Sequence, residues 1–268
     1  MKISYSKNKT FCDNQEKFRL YYILGLTPEG DETPTLANFG RRRGRCFHEL
    51  YEARAKGTLD VDRPRLVGEY GSEVVARCES MVEIVPDLGV LDWVEQSFEV
   101  PILDGKHSII GRIDHRFVNR DNIRHPGDFK TTRGTRTKKE LGEYLQELEQ
   151  STQHHFYLRA AREIEPATLF TYHCVFDRKE KHAKPTYYPV DLFAGPAEVD
   201  RVMASVYAAC EEIEAMKKYG VEKPWPDSRK WSLGDDAYRE IAGRIIPKGL
   251  EPAGFTYRWK EKIQSEDK

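Results

Sequence analysis

The dipeptide Asp104-Gly105 lies between two strand-length runs, Val94–Leu103 and His107–Asn119, and predicts a β-hairpin. A third strand-like run covers about Gly127–Thr132. A helical stretch over 138–164 comes next, then a β-branched and aromatic strand, Thr168–Phe176, with which 186–193 can pair. Residues 196–219 read as a helix, with Pro196 close to its start and Gly220 just past its end. Upstream, helices are expected over 14–24, 36–57 and 66–84. Residues 26–35 read as a loop by their Pro, Gly and acid content, and Pro86 to Gly89 breaks the chain. This order predicts an α/β fold: a single domain over residues 1–240 with a central mixed sheet flanked by helices. Residues 241–268 read as an irregular C-terminal tail.

With 39% hydrophobic and 32% charged residues among 268, the chain can build a core and stay in water. No apolar run approaches the roughly 20 residues of a membrane span. Met1-Lys2-Ile3-Ser4 leads into no apolar segment of a secretory signal. The five cysteines are scattered, which suits free thiols in a reducing cytoplasm, and no Cys-x-x-Cys pair suggests structural zinc. A net charge of −1 excludes a protein that coats nucleic acid by bulk charge. A local positive groove around an acidic site remains compatible with it.

Chemistry concentrates in Gly111-Arg112-Ile113-Asp114 and Asp128-Phe129-Lys130. Side chains repeat every two residues along a strand, so Asp128 and Lys130 share a face. If 107–118 and 123–132 pair, Asp114 reaches the same point. Two carboxylates beside an ammonium group suit metal-dependent attack on a phosphodiester: the acids hold a hard divalent cation, and the lysine orients water or offsets charge. His48 lies upstream in a helical stretch. Downstream, Gln153 and Tyr157 are four apart and so share a helix face.

His48, Gly111-x-x-Asp114, Asp128-x-Lys130 and Gln153-x-x-x-Tyr157, in that order, resemble the motif set of the PD-(D/E)xK nuclease superfamily. The histidine and the Gln-x-x-x-Tyr element resemble its RecB-like exonuclease branch, as do Ser4-Tyr5-Ser6 and Phe18–Tyr22. The resemblance covers roughly residues 1–240. It implies a restriction-endonuclease-like fold and a Mg²⁺- or Mn²⁺-dependent deoxyribonuclease, an exonuclease of recombination, repair or phage DNA processing. It also implies metal ligation by His48, Asp114, Asp128 and the Phe129 carbonyl, with Lys130 as catalytic lysine. Gln153 and Tyr157 would shape the site and touch DNA. Partners of the resemblance are DNA, a helicase or recombination protein, and further copies of the chain in a homo-oligomer.

Two departures from that pattern have consequences. Pro126 cannot donate to a ladder, so the third strand is expected to start at Gly127 or to be bulged there. The cysteines that hold an iron–sulfur cluster in many relatives are missing, so no such cluster is expected. Arg45 and the run Arg133, Arg136, Lys138 are candidate phosphate contacts.

Each feature also has an ordinary structural reading. Asp114, Asp128 and Lys130 could form a surface cross-strand ion pair, His48 a satisfied helix histidine, and Gln153/Tyr157 a polar pair. Adjacent helical residues point about 100° apart, so His154 and His155 read as surface or DNA-proximal residues rather than ligands. Glu95 and Glu99 share a face of a regular strand; they could supplement the cation site or be exposed. A catalytically silent DNA-binding or assembly subunit of the same fold is the alternative function.

Overall fold

The computed structural model describes residues 1–28, 36–88, 90–103, 105–118, 124–133, 138–177, 184–226, 238, 241–247, 252 and 255–257. The strands are β1 (Lys2–Ile3), β2 (Leu26–Pro28), β3 (Val90–Ile102), β4 (His107–Val118), β5 (Arg124–Arg133), β6 (Leu169–Asp177), β7 (Thr186–Phe193) and β8 (Phe255–Tyr257). The helices are α1 (Tyr5–Asp13), α2 (Gln15–Phe18), α3 (Leu36–Lys56), α4 (Leu59–Tyr70), α5 (Ser72–Glu83), α6 (Lys138–Gln150), α7 (Gln153–Ala161) and α8 (Pro196–Gly220). Strand order is β1-β4-β5-β6-β7, with β3 also pairing β4. The sheet is mixed: β4/β5 and β6/β7 are antiparallel, while β1/β4 and β5/β6 are parallel. The expected α/β class, a mixed sheet with flanking helices, is thus present.

The chain clusters into two compact units. One comprises Pro34–Val100 and Ile110–Met203. Its centre is the β5-α6-α7-β6 crossover, which parallel neighbours require. On one face, Phe47, Leu50 and Tyr51 of α3 pack with Leu66 and Tyr70 of α4, Val75 and Met81 of α5, and Phe129 and Val175 of the sheet. Arg43 of α3 and Arg77 of α5 both grip Asp177 at the end of β6, each at 2.6 Å. His115 and His173 are buried beside Phe129, with ring centroids 4.6 and 5.3 Å from it. Alternation turns Asp128 and Lys130 to the other face, where Tyr157 of α7 packs on Phe170 and Tyr144 of α6 on Phe176.

The other unit comprises Met1–Thr33, Pro101–Ile109 and Ala204–Lys268. Within it Glu16 and Arg19 form an ion pair with both side chains fully buried. Arg19 donates to the carbonyls of Val221, Glu222 and Arg244, and Glu16 accepts from the N–H groups of Trp225 and Gly243. Leu20, Leu24 and Leu26 cluster with Tyr238, Ile241, Ile246 and Phe255.

Several boundaries differ from expectation. The helix expected over 66–84 is two, α4 and α5, split at Gly71, whose φ of 89° suits glycine and ends α4 with an N–H bond to the Val67 carbonyl. The helix expected over 138–164 breaks at Ser151, whose Oγ accepts from the Gln153 N–H at 3.2 Å, so Gln153 opens α7. Helical structure before residue 14 includes α1, and Arg19–Ile23 forms a π-helical turn. Leu26–Pro28, expected as loop, pairs with β8. Ile241, Ile246 and Phe255, expected in an irregular tail, are buried. Strand β5 starts at Arg124, not Gly127, and has no bulge at Pro126: its register with β4 runs unbroken from Val118↔Arg124 to His115↔Gly127. Pairing with β6 begins only at Gly127↔Thr171, so Pro126 falls where β5 is flanked by β4 alone.

Candidate active site

Among the described residues the β4–β5 ladder ends at His115↔Gly127. One residue further on, the Asp114 side chain takes over a ladder role: its Oδ2 accepts the Phe129 N–H at 2.8 Å. The strands therefore part where their two acids stand. Gly111 fits here because a Cβ would come within 2.6 Å of the Phe98 ring, which lies against it.

On the β5 side, Lys130 Nζ lies 2.6 Å from Asp128 Oδ2 and donates to Gln153 Oε1 at 2.9 Å. Gln153 Nε2 donates to the Tyr157 hydroxyl at 2.9 Å and approaches Asp128 Oδ1 at 3.3 Å. Tyr157 donates to Asp128 Oδ1 at 3.2 Å. Helix α7 thus presents its first and fifth residues to Asp128 and Lys130. Burial, then the Asp128 and Asp114 charges, hold the Tyr157 hydroxyl protonated well above its ordinary range.

On the β4 side, His48 Nδ1 lies 3.4 Å from Asp114 Oδ2 and 3.3 Å from Glu95 Oε1. His48, Glu95 and Asp114 each offer one ligand atom, all within 4.8 Å of one another. Burial raises the Asp114 carboxyl, the Asp128 charge adds to this, and His48 opposes it, with a result of about 8. Burial resists charge on His48, yet Asp114, Glu95 and Asp128 outweigh it and lift the imidazole to about 9. His48 and Arg112 are the cations that face the cluster's two carboxyl groups. Carboxylate oxygens and an imidazole nitrogen are ligands that a divalent cation accepts, so these residues fit one. The site opens into a groove of about 830 Å³, lined by His48, Glu95, Arg112 and Asp114 and continuing past Arg45, Glu49, Lys56 and Arg65.

His48, Asp114, Asp128, Lys130, Gln153 and Tyr157 are therefore brought together, and Phe129 joins them through its backbone. Arg45 is exposed on the groove. Arg133 ends β5 and Lys138 opens α6, but their side chains and all of Arg136 lie outside the described residues. His154 and His155 are not surface residues: both are buried, with ring centroids 3.9 Å apart, because α7 lies flat against the sheet. Glu95, which the sequence left undecided, is in the cluster, and Glu99 is exposed. Glu95 has φ of 52°, rare for a residue other than glycine and worth roughly 1–3 kcal/mol of strain. No sequence pattern signals that reversal.

All five cysteines are free, and among the described residues no helix is long and apolar enough to cross a membrane. No curated protein matches the chain. Among solved structures, a Eubacterium rectale protein provisionally called an exonuclease is similar at 12% identity and a TM-score of 0.54, over 92% of this chain and 90% of its own, a likeness of fold alone. SSO0001 aligns at 14% identity over 69% of this chain and 82% of its own, but its TM-score of 0.33 carries no argument. The model of the PD-(D/E)XK nuclease superfamily matches residues 2–223. Since that span holds the parted strands, their two acids, the lysine and the Gln-x-x-x-Tyr helix, the chain belongs to the PD-(D/E)XK nuclease superfamily.

Proposed function

We propose that this nuclease is a Mg²⁺- or Mn²⁺-dependent deoxyribonuclease that acts as an exonuclease in DNA recombination, repair or phage DNA processing. The observation that carries the reading is the convergence of His48, Glu95 and Asp114, with ligand atoms within 4.8 Å, beside an Asp128–Lys130 pair held by Gln153 and Tyr157. His48, Asp114, Asp128 and the Phe129 carbonyl would hold the cation. Bound there, a cation would supply a water of lowered pKa and offset charge on the phosphate. Lys130 would orient the attacking water or offset charge as it develops, from an ammonium fixed by Asp128 and Gln153. Tyr157 keeps its proton and steadies Asp128. Arg45, Arg133, Arg136 and Lys138 contact the phosphate backbone. A silent DNA-binding subunit has no particular observation in its favour, since the acids and the lysine are all present. Helicase or recombination partners, a homo-oligomer, a cytoplasmic setting and a cluster-free state are parts of the same proposal.

End-labelled linear and closed circular DNA, incubated with Mg²⁺, Mn²⁺ or EDTA beside a Lys130→Ala variant, test it. Metal-dependent loss of linear but not circular DNA, abolished in the variant, is expected. Cutting of circles would replace the exonuclease with an endonuclease of the same chemistry. Binding without cutting under either metal would favour the silent subunit.

A further inference from the structure

Glu95 faces two partners with its two oxygens. Oε1 lies 3.3 Å from His48 Nδ1, and Oε2 lies 2.6 Å from Arg112 Nε. Only 7% of the Glu95 side chain is exposed, against 61% for Arg112. Arg112 precedes Asp114 by two residues on β4, so both project to one face of that strand, and both line the groove. A buried carboxylate with a reversed backbone is thus aimed at the cation cluster, while an exposed guanidinium lies against its second oxygen.

We propose that Glu95 and Arg112 form an exchangeable pair: Glu95 joins His48 and Asp114 around the cation, and Arg112, so released, binds a phosphate of the DNA strand. The inference rests on the nuclease reading above and adds two residues to it. The physical reason is competition for one carboxylate. A divalent cation draws on the charge that now holds the guanidinium, and because the Arg112 side chain is 61% exposed, the arginine can leave the buried carboxylate without itself being stranded away from water. Substrate brings a phosphodiester anion to the same groove, and the planar fork of arginine matches phosphate oxygens with two parallel hydrogen bonds. Apo enzyme would then have an arginine covering part of its metal site, and loaded enzyme an arginine on its substrate.

The test is calorimetric titration of Mn²⁺ into the full chain as wild type, Glu95→Gln, Arg112→Ala, Arg112→Lys and Asp114→Ala, with steady-state cleavage of end-labelled DNA alongside. Circular-dichroism melts check that each variant folds. Expected is Mn²⁺ binding about tenfold weaker in Glu95→Gln, as when a group supporting a metal is lost. Arg112→Ala should bind Mn²⁺ about twofold to fivefold tighter, the scale of removing an ion pair whose cation stands in solvent. The same variant should raise KM for DNA about tenfold, the scale of a lost charged hydrogen bond. Arg112→Lys should recover part of that KM. Unchanged or weaker Mn²⁺ binding in Arg112→Ala, or an unchanged KM, overturns the exchange. If binding is lost in Asp114→Ala while Glu95→Gln and Arg112→Ala match wild type, only the exchange falls. If wild type binds no Mn²⁺, the nuclease reading falls with it.

Discussion

Lys130 is held by an acid on its own strand and an amide on a helix, and each tie has a separable consequence. Gln153→Ala removes the amide while leaving every acid in place. It should lower kcat about tenfold or more with little change in Mn²⁺ affinity, a split that single-turnover kinetics and metal titration resolve. Asp114 has two tasks, a carboxyl group for the cation cluster beside His48 and an acceptor for the Phe129 N–H. Asp114→Asn keeps an acceptor and loses the carboxylate that a cation would draw on. It should hold the wild-type melting temperature while cleavage falls at least about a hundredfold, whereas Asp114→Ala should lose about 1–3 kcal/mol of stability as well. Equal melting of the two variants would dismiss the structural task.

At the scale of elements, two glycines of the sheet leave room for a neighbouring ring. A Cβ on Gly111 would stand 2.6 Å from Phe98, and one on Gly127 would stand 2.4 Å from His115 Nε2 and 3.0 Å from the Thr171 carbonyl oxygen. Gly111→Ala should cost about 1–3 kcal/mol by overpacking, and Phe98→Leu in the same chain should return part of it. Urea unfolding of the two single variants and the double variant measures this; strict additivity would mean that the ring contact is not the cause. The element boundaries show where local sequence stops informing. Asp104-Gly105 and the alternation beside it mark two strands correctly because turn and pleat are local properties. Helix α4 begins at Leu59, well before the expected residue 66, and runs through Pro64, held by Leu66 and Tyr70, which pack with residues of α3.

For the molecule as a whole, acid is the expected weakness. Burial lowers His173 to about 3, and burial followed by the His155 charge lowers His154 to about 4. Both sit well below the unfolded value near 6.5. Well above about pH 6.5 neither state is protonated and these histidines contribute no pH dependence. As pH falls toward 4, the unfolded chain takes up protons that the folded chain refuses, and stability drops by on the order of 3 kcal/mol per histidine. The urea midpoint should therefore be flat near pH 8 and decline as pH falls through about 6.5; a midpoint constant down to pH 5 would show these rings to be hydrated. In the unit built from Met1–Thr33, Pro101–Ile109 and Ala204–Lys268, Glu16→Ala would leave the Arg19 charge buried without its carboxylate. A loss of about 3–5 kcal/mol is expected, read by thermal melting.

The sequence by itself determined the order of elements and the identity of the acids, lysine, glutamine and tyrosine that meet in the site. Strand alternation and helical spacing are short-range rules, and they fix which neighbours share a face. Tertiary structure alone decided that Glu95 enters the cluster while Glu99 stays outside. A regular strand would put both on one face, and the φ of 52° at Glu95 breaks the alternation on which that reading depends. It also decided that His115, His154, His155 and His173 are buried, since residue type does not say what will be packed above it. The cluster joining Leu20, Leu24 and Leu26 to Ile241, Ile246 and Phe255 was hidden for a related reason. Its halves lie at opposite ends of the chain, and no local period links residues so far apart.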